Sequence, residues 1–273
     1  NTPDSYGSVT KGFHWLTVLL ILTVIPLGVI AHNLAHQIND PEITTDAGDV
    51  ARVAWLYSMH KTVGVTIFFT ALLRILWALT QKKPGLLNGE NKPEAWAAET
   101  VHWLLYGSLV LVPLFGWITH AATTGFAPIW WPFGQGLPLV PKDTGVEHFF
   151  GALHWVATKV LAASILLHLA GAIKHHFIDR DATLRRMLPG NAAIGPIPPQ
   201  HKTRLPVLAA LVLWVMAVML AAVLSNTGSS EAPKTAGLDA VTSQWQVQEG
   251  TIEITVKQFG SEVTGNFADW TAD

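Results

Sequence analysis

No cysteine occurs among the 273 residues. That absence excludes disulfides, thiolate metal sites, iron–sulfur clusters and covalent c-type haem attachment. Charge is scarce too. Only 13% of residues are Asp, Glu, Lys or Arg, against about a quarter in ordinary soluble domains. The net charge of -2 offers no basic surface, so nucleic acid is not an expected partner. The long apolar runs also lack any interior Asp or Glu. A path for zinc or a hard cation is normally lined with carboxylates, so a metal-ion transporter is disfavoured. In place of charge the chain has apolar surface, half of all residues, with twelve tryptophans and twelve histidines. Excess Trp suits an aromatic belt at lipid headgroups.

Five apolar runs stand out, at about residues 13–31, 53–80, 101–122, 149–173 and 205–224. Lipid permits only helices or closed barrels as spans, and these runs have helix length. The fold class is therefore an all-α membrane protein, with the bilayer as its first partner. The first run follows Lys11 directly and is long enough to remain as a span rather than a cleaved signal. Lys82, Lys83 and Lys92 lie between the second and third runs, and Lys174, Arg180, Arg185, Arg186, Lys202 and Arg204 between the fourth and fifth. The opposite loops are acidic or nearly neutral. Positive charge stays inside, so the N-terminus is expected in the cytoplasm and the residues beyond Leu224 outside.

The loop 123–144 contains WWPFGQGLPLVP, whose prolines and glycines forbid a regular helix. Trp130 and Trp131 are expected at the outer interface. Residues 226–243 read as a small, polar linker. Beyond it the period changes to two: Ile252, Ile254 and Val256 alternate with Glu253, Thr255 and Lys257. This predicts a strand over 251–258 and a returning one over 262–268. Two strands alone are marginal in water, so 244–273 reads as the start of a β domain that continues further.

The histidines carry the chemistry. His154 and His168 are 14 positions apart on the fourth span, about 21 Å along a helix and on nearly the same face. With the orientation above, His14 and His168 share the cytoplasmic leaflet, and His60 and His154 the outer one. Each pair can give two imidazoles to one iron, and a metal site rich in imidazole and without carboxylate favours haem. Bis-histidine haem has no open position and suits electron transfer. His102 and His120, five turns apart on the third span, remain open as ligands on geometry alone. Arg74, Lys61 and Lys159 lie within or beside spans and need partners. Haem propionates are suitable anions, with snorkelling the competing reading for both lysines. His175, His176 and His102 are cytoplasmic-side candidates for a quinone hydrogen bond. Gly28, Gly64, Gly107, Gly151 and Gly171 line the spans, where small residues allow close helix packing or a porphyrin against the backbone.

Several stretches together resemble the bacterial cytochrome b561 family: GFHW at 12–15, MHKTVG at 59–64, Arg74, LHWVATK at 153–159, LLHLAGAIKHHF at 166–177 and TLRRMLPG at 183–190. The resemblance covers residues 5–190. It implies a four-helix bundle with two haem b groups, ligated by the pairs His14–His168 and His60–His154, so that the third helix does not ligate. It implies a multi-pass protein of the bacterial inner membrane that passes electrons between ubiquinone, or a similar quinone, and a second redox partner. One branch of that family oxidises superoxide outside the membrane and reduces quinone. This chain adds a fifth span at 205–225, the linker, and a segment that resembles the opening of the periplasmic polyisoprenoid-binding, lipocalin-like (YceI-like) family through Trp245, Ile252, Val256, Gly260, Val263, Gly265 and Phe267. The expected function is electron transfer. The alternative is a haem-containing accessory subunit, docked through the added segments to a larger respiratory or photosynthetic complex.

Overall fold

Helix starts are set by local chemistry. Asp46 caps α2 (Ala47–Leu79) in a capping box, accepting the Asp49 N–H while the Asp49 carboxylate reaches back to the Asp46 N–H. Each exchange satisfies a backbone donor that the first turn leaves orphaned. Asp143 does the same for α4 (Thr144–Phe177) through the Val146 N–H. Pro93 opens α3 (Lys92–Ala122), where its missing N–H costs nothing. The other elements are α1 (Ser8–Ile38), a 3-10 turn (Arg185–Met187), α5 (Leu205–Gly228), β1 (Ile252–Gln258) and β2 (Ser261–Phe267). The computed structural model describes residues 1–38, 40, 43–123, 127–132, 135–190, 192, 194, 197–200, 203–228, 252–258 and 261–267.

Five helices are long and apolar enough to cross a membrane. The first four have 31 to 34 residues each, beyond the 20 or so that a bilayer needs. They outrun the expected apolar runs because their polar end turns remain helical. Glu94 and Glu99 lie in the first two turns of α3, which therefore begins well before Val101. α5 likewise continues past Leu224 into the expected linker, and the rest of that linker lies outside the described residues.

The closely packed helix pairs are α1–α2, α2–α3, α3–α4, α4–α5 and α3–α5. α4 therefore meets α1 and α2 chiefly through side chains. Val24, Ile67, Ala71 and Leu109 form an apolar layer among α1, α2 and α3. Leu153 and Val156 of α4 pack on Ala217 and Ala221 of α5. Gly107 makes room for Trp214 of α5, since a Cβ there would lie 2.7 Å from the indole nitrogen. Most large apolar side chains of α5, such as Leu208, Leu211, Met216 and Met219, are exposed, as a lipid-facing helix requires.

The loop after α3 departs from expectation at one tryptophan. Trp130 is exposed beside Trp55, as an interfacial anchor would be. Trp131 instead turns inward, stacks on Phe69 at 5.2 Å and meets Trp117 edge-on at 5.5 Å. Packing over the Val65, Trp117 and Ile129 cluster buries more of its ring than the interface would.

The strands pair antiparallel, from Ile252 opposite Phe267 to Gln258 opposite Ser261, within a residue of the alternation read from sequence. Thr255 and Thr264 hydroxyls meet at 3.0 Å across the pair. Trp245 and Gly260, part of the lipocalin-like resemblance, lie outside the described residues, as does His201.

Candidate metal centres

Two histidine pairs face each other across the bundle at different depths. The rings of His14 and His168 are 6.2 Å apart, and those of His60 and His154 are also 6.2 Å apart. Two metal–imidazole bonds of about 2 Å each, plus the distance from each nitrogen to its ring centre, come to roughly this separation. α1, α2 and α4 thus supply the pairs, and α4 supplies one member to each.

At the His60 end the seats are alike on two helices. The His60 Nδ1–H donates to the Val24 carbonyl at 2.9 Å, and the His154 Nδ1–H donates to the Val112 carbonyl at 2.9 Å. Each leaves Nε2 as the unprotonated nitrogen, which is the form a metal binds. The reason these carbonyls are reachable is in the sequence. A side chain four residues on covers the carbonyl one turn back, and at those positions stand Gly28 and Gly116. A Cβ at Gly28 would lie 2.7 Å from the His60 ring, and one at Gly116 would lie 2.9 Å from His154 Nδ1. Pro26 and Pro113 sit nearby inside the same helices and remove one helical hydrogen bond each.

The His14 end has three imidazoles. His102 lies 5.1 Å from His168, ring to ring, and its Nδ1–H donates to the Ala98 carbonyl at 2.6 Å. That separation is too short for a metal between the rings, whereas the His14–His168 gap suits one. The rings of His14 and His168 hydrogen-bond to nothing among the described residues, so their nitrogens are available. Arg74 lies within electrostatic reach of His14, His102 and His168, with its guanidinium 5.5 Å from the Tyr106 ring.

The faces that carry the histidines also leave room. A Cβ at Gly64, one turn past His60, or at Gly171, three residues past His168, would meet nothing within 4 Å. Close packing, the plainer reading of these glycines, therefore applies to Gly28 and Gly107 and not to Gly64 or Gly171. Gly151 is intermediate, with Thr119 at 3.8 Å. Facing imidazoles, with tautomers fixed at the His60–His154 pair, and open backbone beside them fit a flat metal-bearing macrocycle.

The remaining candidates are placed elsewhere. Lys61 donates to the Ala127 carbonyl at 3.0 Å and lies 3.2 Å from His120 Nδ1. The His120 Nε2–H donates to Gln135 Oε1 at 3.1 Å, and Gln135 brackets Ile129 through both its backbone groups. Lys61 and His120 thus fasten the loop after α3, and His120 does not join His102 as a ligand pair. Lys159 is exposed on the outside of the bundle, 4.9 Å over the Trp155 ring. That is the arrangement of a snorkelling lysine. His176 is exposed against Phe177. His175 is buried and already engaged: its Nδ1–H donates to Asp181 Oδ2 at 2.6 Å. Glu94, His175 and Asp179 have the spacing of a metal site. Lys174 Nζ, however, lies 2.7 Å from Glu94 and 2.6 Å from Asp179, so the protein's own cation fills that position.

Gly116, the Val24 and Val112 carbonyls, Gln135 and Tyr106 were not visible as site residues from sequence. A glycine four residues after a residue near proline, on two helices, is the signal that could have found the first three.

A model of the prokaryotic cytochrome b561 family matches residues 5–190, which include α1 to α4 and both histidine pairs. The chain is 30% identical over 193 residues to cytochrome b561 homolog 2 of Escherichia coli K12, covering 69% of this chain and 93% of that protein. It is 24% identical over 185 residues to the probable superoxide oxidase CybB of Yersinia pestis, covering 67% and 96%. Cytochrome b561 homolog 1 of Escherichia coli K12 is 26% identical over 133 residues, 48% of this chain and 73% of that protein. On the histidine geometry and these matches together, the chain belongs to the prokaryotic cytochrome b561 family and is a multi-pass membrane protein of the b-type haem class.

Proposed function

We propose that this protein binds two b haems, one through His14 and His168 and one through His60 and His154, and carries electrons between a membrane quinone and a second redox partner. The observation that carries this reading is the repeated 6.2 Å ring separation at two depths. Bound haem supplies reversible one-electron chemistry. The chain's residues do the rest. The Val24 and Val112 carbonyls hold the outer imidazoles in one tautomer and orientation. The layer of Val24, Ile67, Ala71 and Leu109 excludes water from the middle of the bundle. Lys61, His120 and Gln135 hold the loop that closes the His60 end.

His102 is the residue we assign to the quinone. Its Nδ1–H is committed to Ala98, which leaves Nε2 as an acceptor for a quinol hydroxyl beside His168. The N-terminus is assigned to the cytoplasm of a bacterial inner membrane, with the β segment outside. Residues 5–190 are the electron-transfer unit, 205–225 an added span, 226–243 a linker and 244–273 an external β segment. The relative named as a probable superoxide oxidase supports superoxide as the outer donor.

Reduction of the purified protein by a short-chain quinol, followed by full-spectrum absorbance, tests the reading. A b-type band that rises with quinol is expected. A protein with no such band, or with one that quinol leaves oxidised, sinks it. Pulse radiolysis separates the superoxide branch, for which submillisecond haem reduction is expected and an unchanged spectrum is the negative.

A further inference from the structure

Arg186 is the one charged side chain with buried, unpartnered nitrogens among the described residues. It is 5% exposed and sits on the 3-10 turn after α4. Its Nη1 donates to the Gly85 carbonyl at 2.8 Å, and its guanidinium lies 5.3 Å from the Tyr6 ring. Its Nε and Nη2 are buried and have no hydrogen-bond partner among the described residues. An arginine cannot shed its proton, and a buried charge without an acceptor is costly. Something with lone pairs belongs at those two nitrogens.

The protein's own acid does not serve. Asp4 is close enough to feel Arg186, but it is exposed and accepts from the Thr2 hydroxyl. Tyr6 offers only its ring face. The shape of that unpartnered edge is informative. Nε and Nη2 lie side by side on one edge of the guanidinium, and their parallel N–H bonds match the two oxygens of a planar oxyanion.

The position is informative too. The Trp15 Nε1–H donates to the Met187 carbonyl at 2.8 Å, so the Arg186 turn is tied to the helical turn that holds His14. Lys11 Nζ adds bonds to the Leu188 and Gly190 carbonyls at 2.9 Å and 2.7 Å. Tyr6 lies within reach of Arg186, Lys83 and Arg74 together, and Arg74 in turn reaches His14 and His168. Arg186 thus sits on a turn bonded to the helical turn that carries His14, while Arg74 of α2 reaches the pair itself.

We infer that the Nε and Nη2 edge of Arg186 receives a carboxylate, a propionate of the haem held by His14 and His168. This rests on the haem assignment above and names a residue of that site outside the ligating helices. The same fork would also take a lipid phosphate, so the test must distinguish the two anions.

The experiment is redox-induced infrared difference spectroscopy on the purified holoprotein, with haem propionates labelled by growth on 13C-carboxyl 5-aminolevulinate. Carboxylate bands that move with the label are expected in the wild type. In Arg186→Gln these labelled bands change position. In Arg186→Lys, which keeps the charge and lacks the fork, they change less. Arg185→Gln, at an exposed neighbour, leaves them unaltered. If Arg186→Gln fails to fold, the lysine variant alone decides, because it too must move the labelled bands. Labelled bands that ignore both Arg186 variants overturn the assignment. So does a shift confined to unlabelled phosphate bands, which would give the edge to a lipid. A wild-type protein without haem absorbance would instead defeat the broader haem reading.

Discussion

Gly28 and Gly116 show how one missing methyl group can hold an imidazole in place. Each exposes a carbonyl one turn back, and each carbonyl fixes an imidazole. Adding a Cβ at 2.7 Å or 2.9 Å from the ring overpacks the seat, at a cost of about 1–3 kcal/mol. Gly28→Ala and Gly116→Ala are expected to weaken the reduced b-type band assigned to the His60–His154 haem and to spare the other. An unchanged reduced-minus-oxidised spectrum in both variants would show that the rings do not depend on these contacts. At this scale the sequence was readable where a side chain announces chemistry: the depth matching of His14 with His168 and of His60 with His154 is the pairing by which their rings face each other. It was not readable where function lies in a backbone carbonyl, or in a glycine such as Gly116 whose role depends on a residue of another helix. Lys61 and Lys159 show the same limit. Their charges were plain in sequence, but only packing tells that one fastens a loop and the other lies over Trp155.

The end of α4 is fastened as an element. Lys174 bridges Glu94 of α3 and Asp179 of the following turn, and His175 donates to Asp181. Partial burial of Asp181 opposes its charge. The Thr183 N–H, the Thr183 hydroxyl and His175 outweigh that effect, and hold its pKa below the ordinary 3.8. Folding therefore favours the carboxylate form. Its contribution is present above the ordinary value and is lost as pH falls through the lower folded-state value. Asp181→Asn is expected to lower Tm by a few degrees at pH 6. The gap between variant and wild type should close below about pH 4, as tryptophan fluorescence melts would show; a gap independent of pH would count against this account. The helices themselves were legible from apolar runs. Their ends were not, because Glu94, Lys174 and their neighbours read as loop by hydropathy yet stay helical through caps and ion pairs.

For the whole molecule, the added helix α5 joins the bundle without supplying a histidine to either pair. α5 packs on α3 and α4 through Trp214, Ala217 and Ala221, and the histidine pairs draw on α1, α2 and α4. A chain ending at residue 204 is therefore expected to keep both haems at reduced thermal stability. Loss of haem from it would mean that α5 shapes the sites. The order of spans and the hairpin were legible from hydropathy and alternation, since both are properties of local pattern. The packing order of the helices was not, since α4 reaches α1 and α2 through side chains whose partners are far away in sequence.

The central claim is that four histidines form two metal sites. Haem per folded chain, by pyridine haemochrome on purified protein, measures it most directly. Two haems are expected in the wild type and one in each of His14→Ala, His60→Ala, His154→Ala and His168→Ala. The spectrum that survives in the His14 and His168 variants should be the same, and that in the His60 and His154 variants should be the other. His102→Ala and His120→Ala should keep both. Loss of a haem on changing His102 or His120, with retention on changing a member of either pair, would contradict the account.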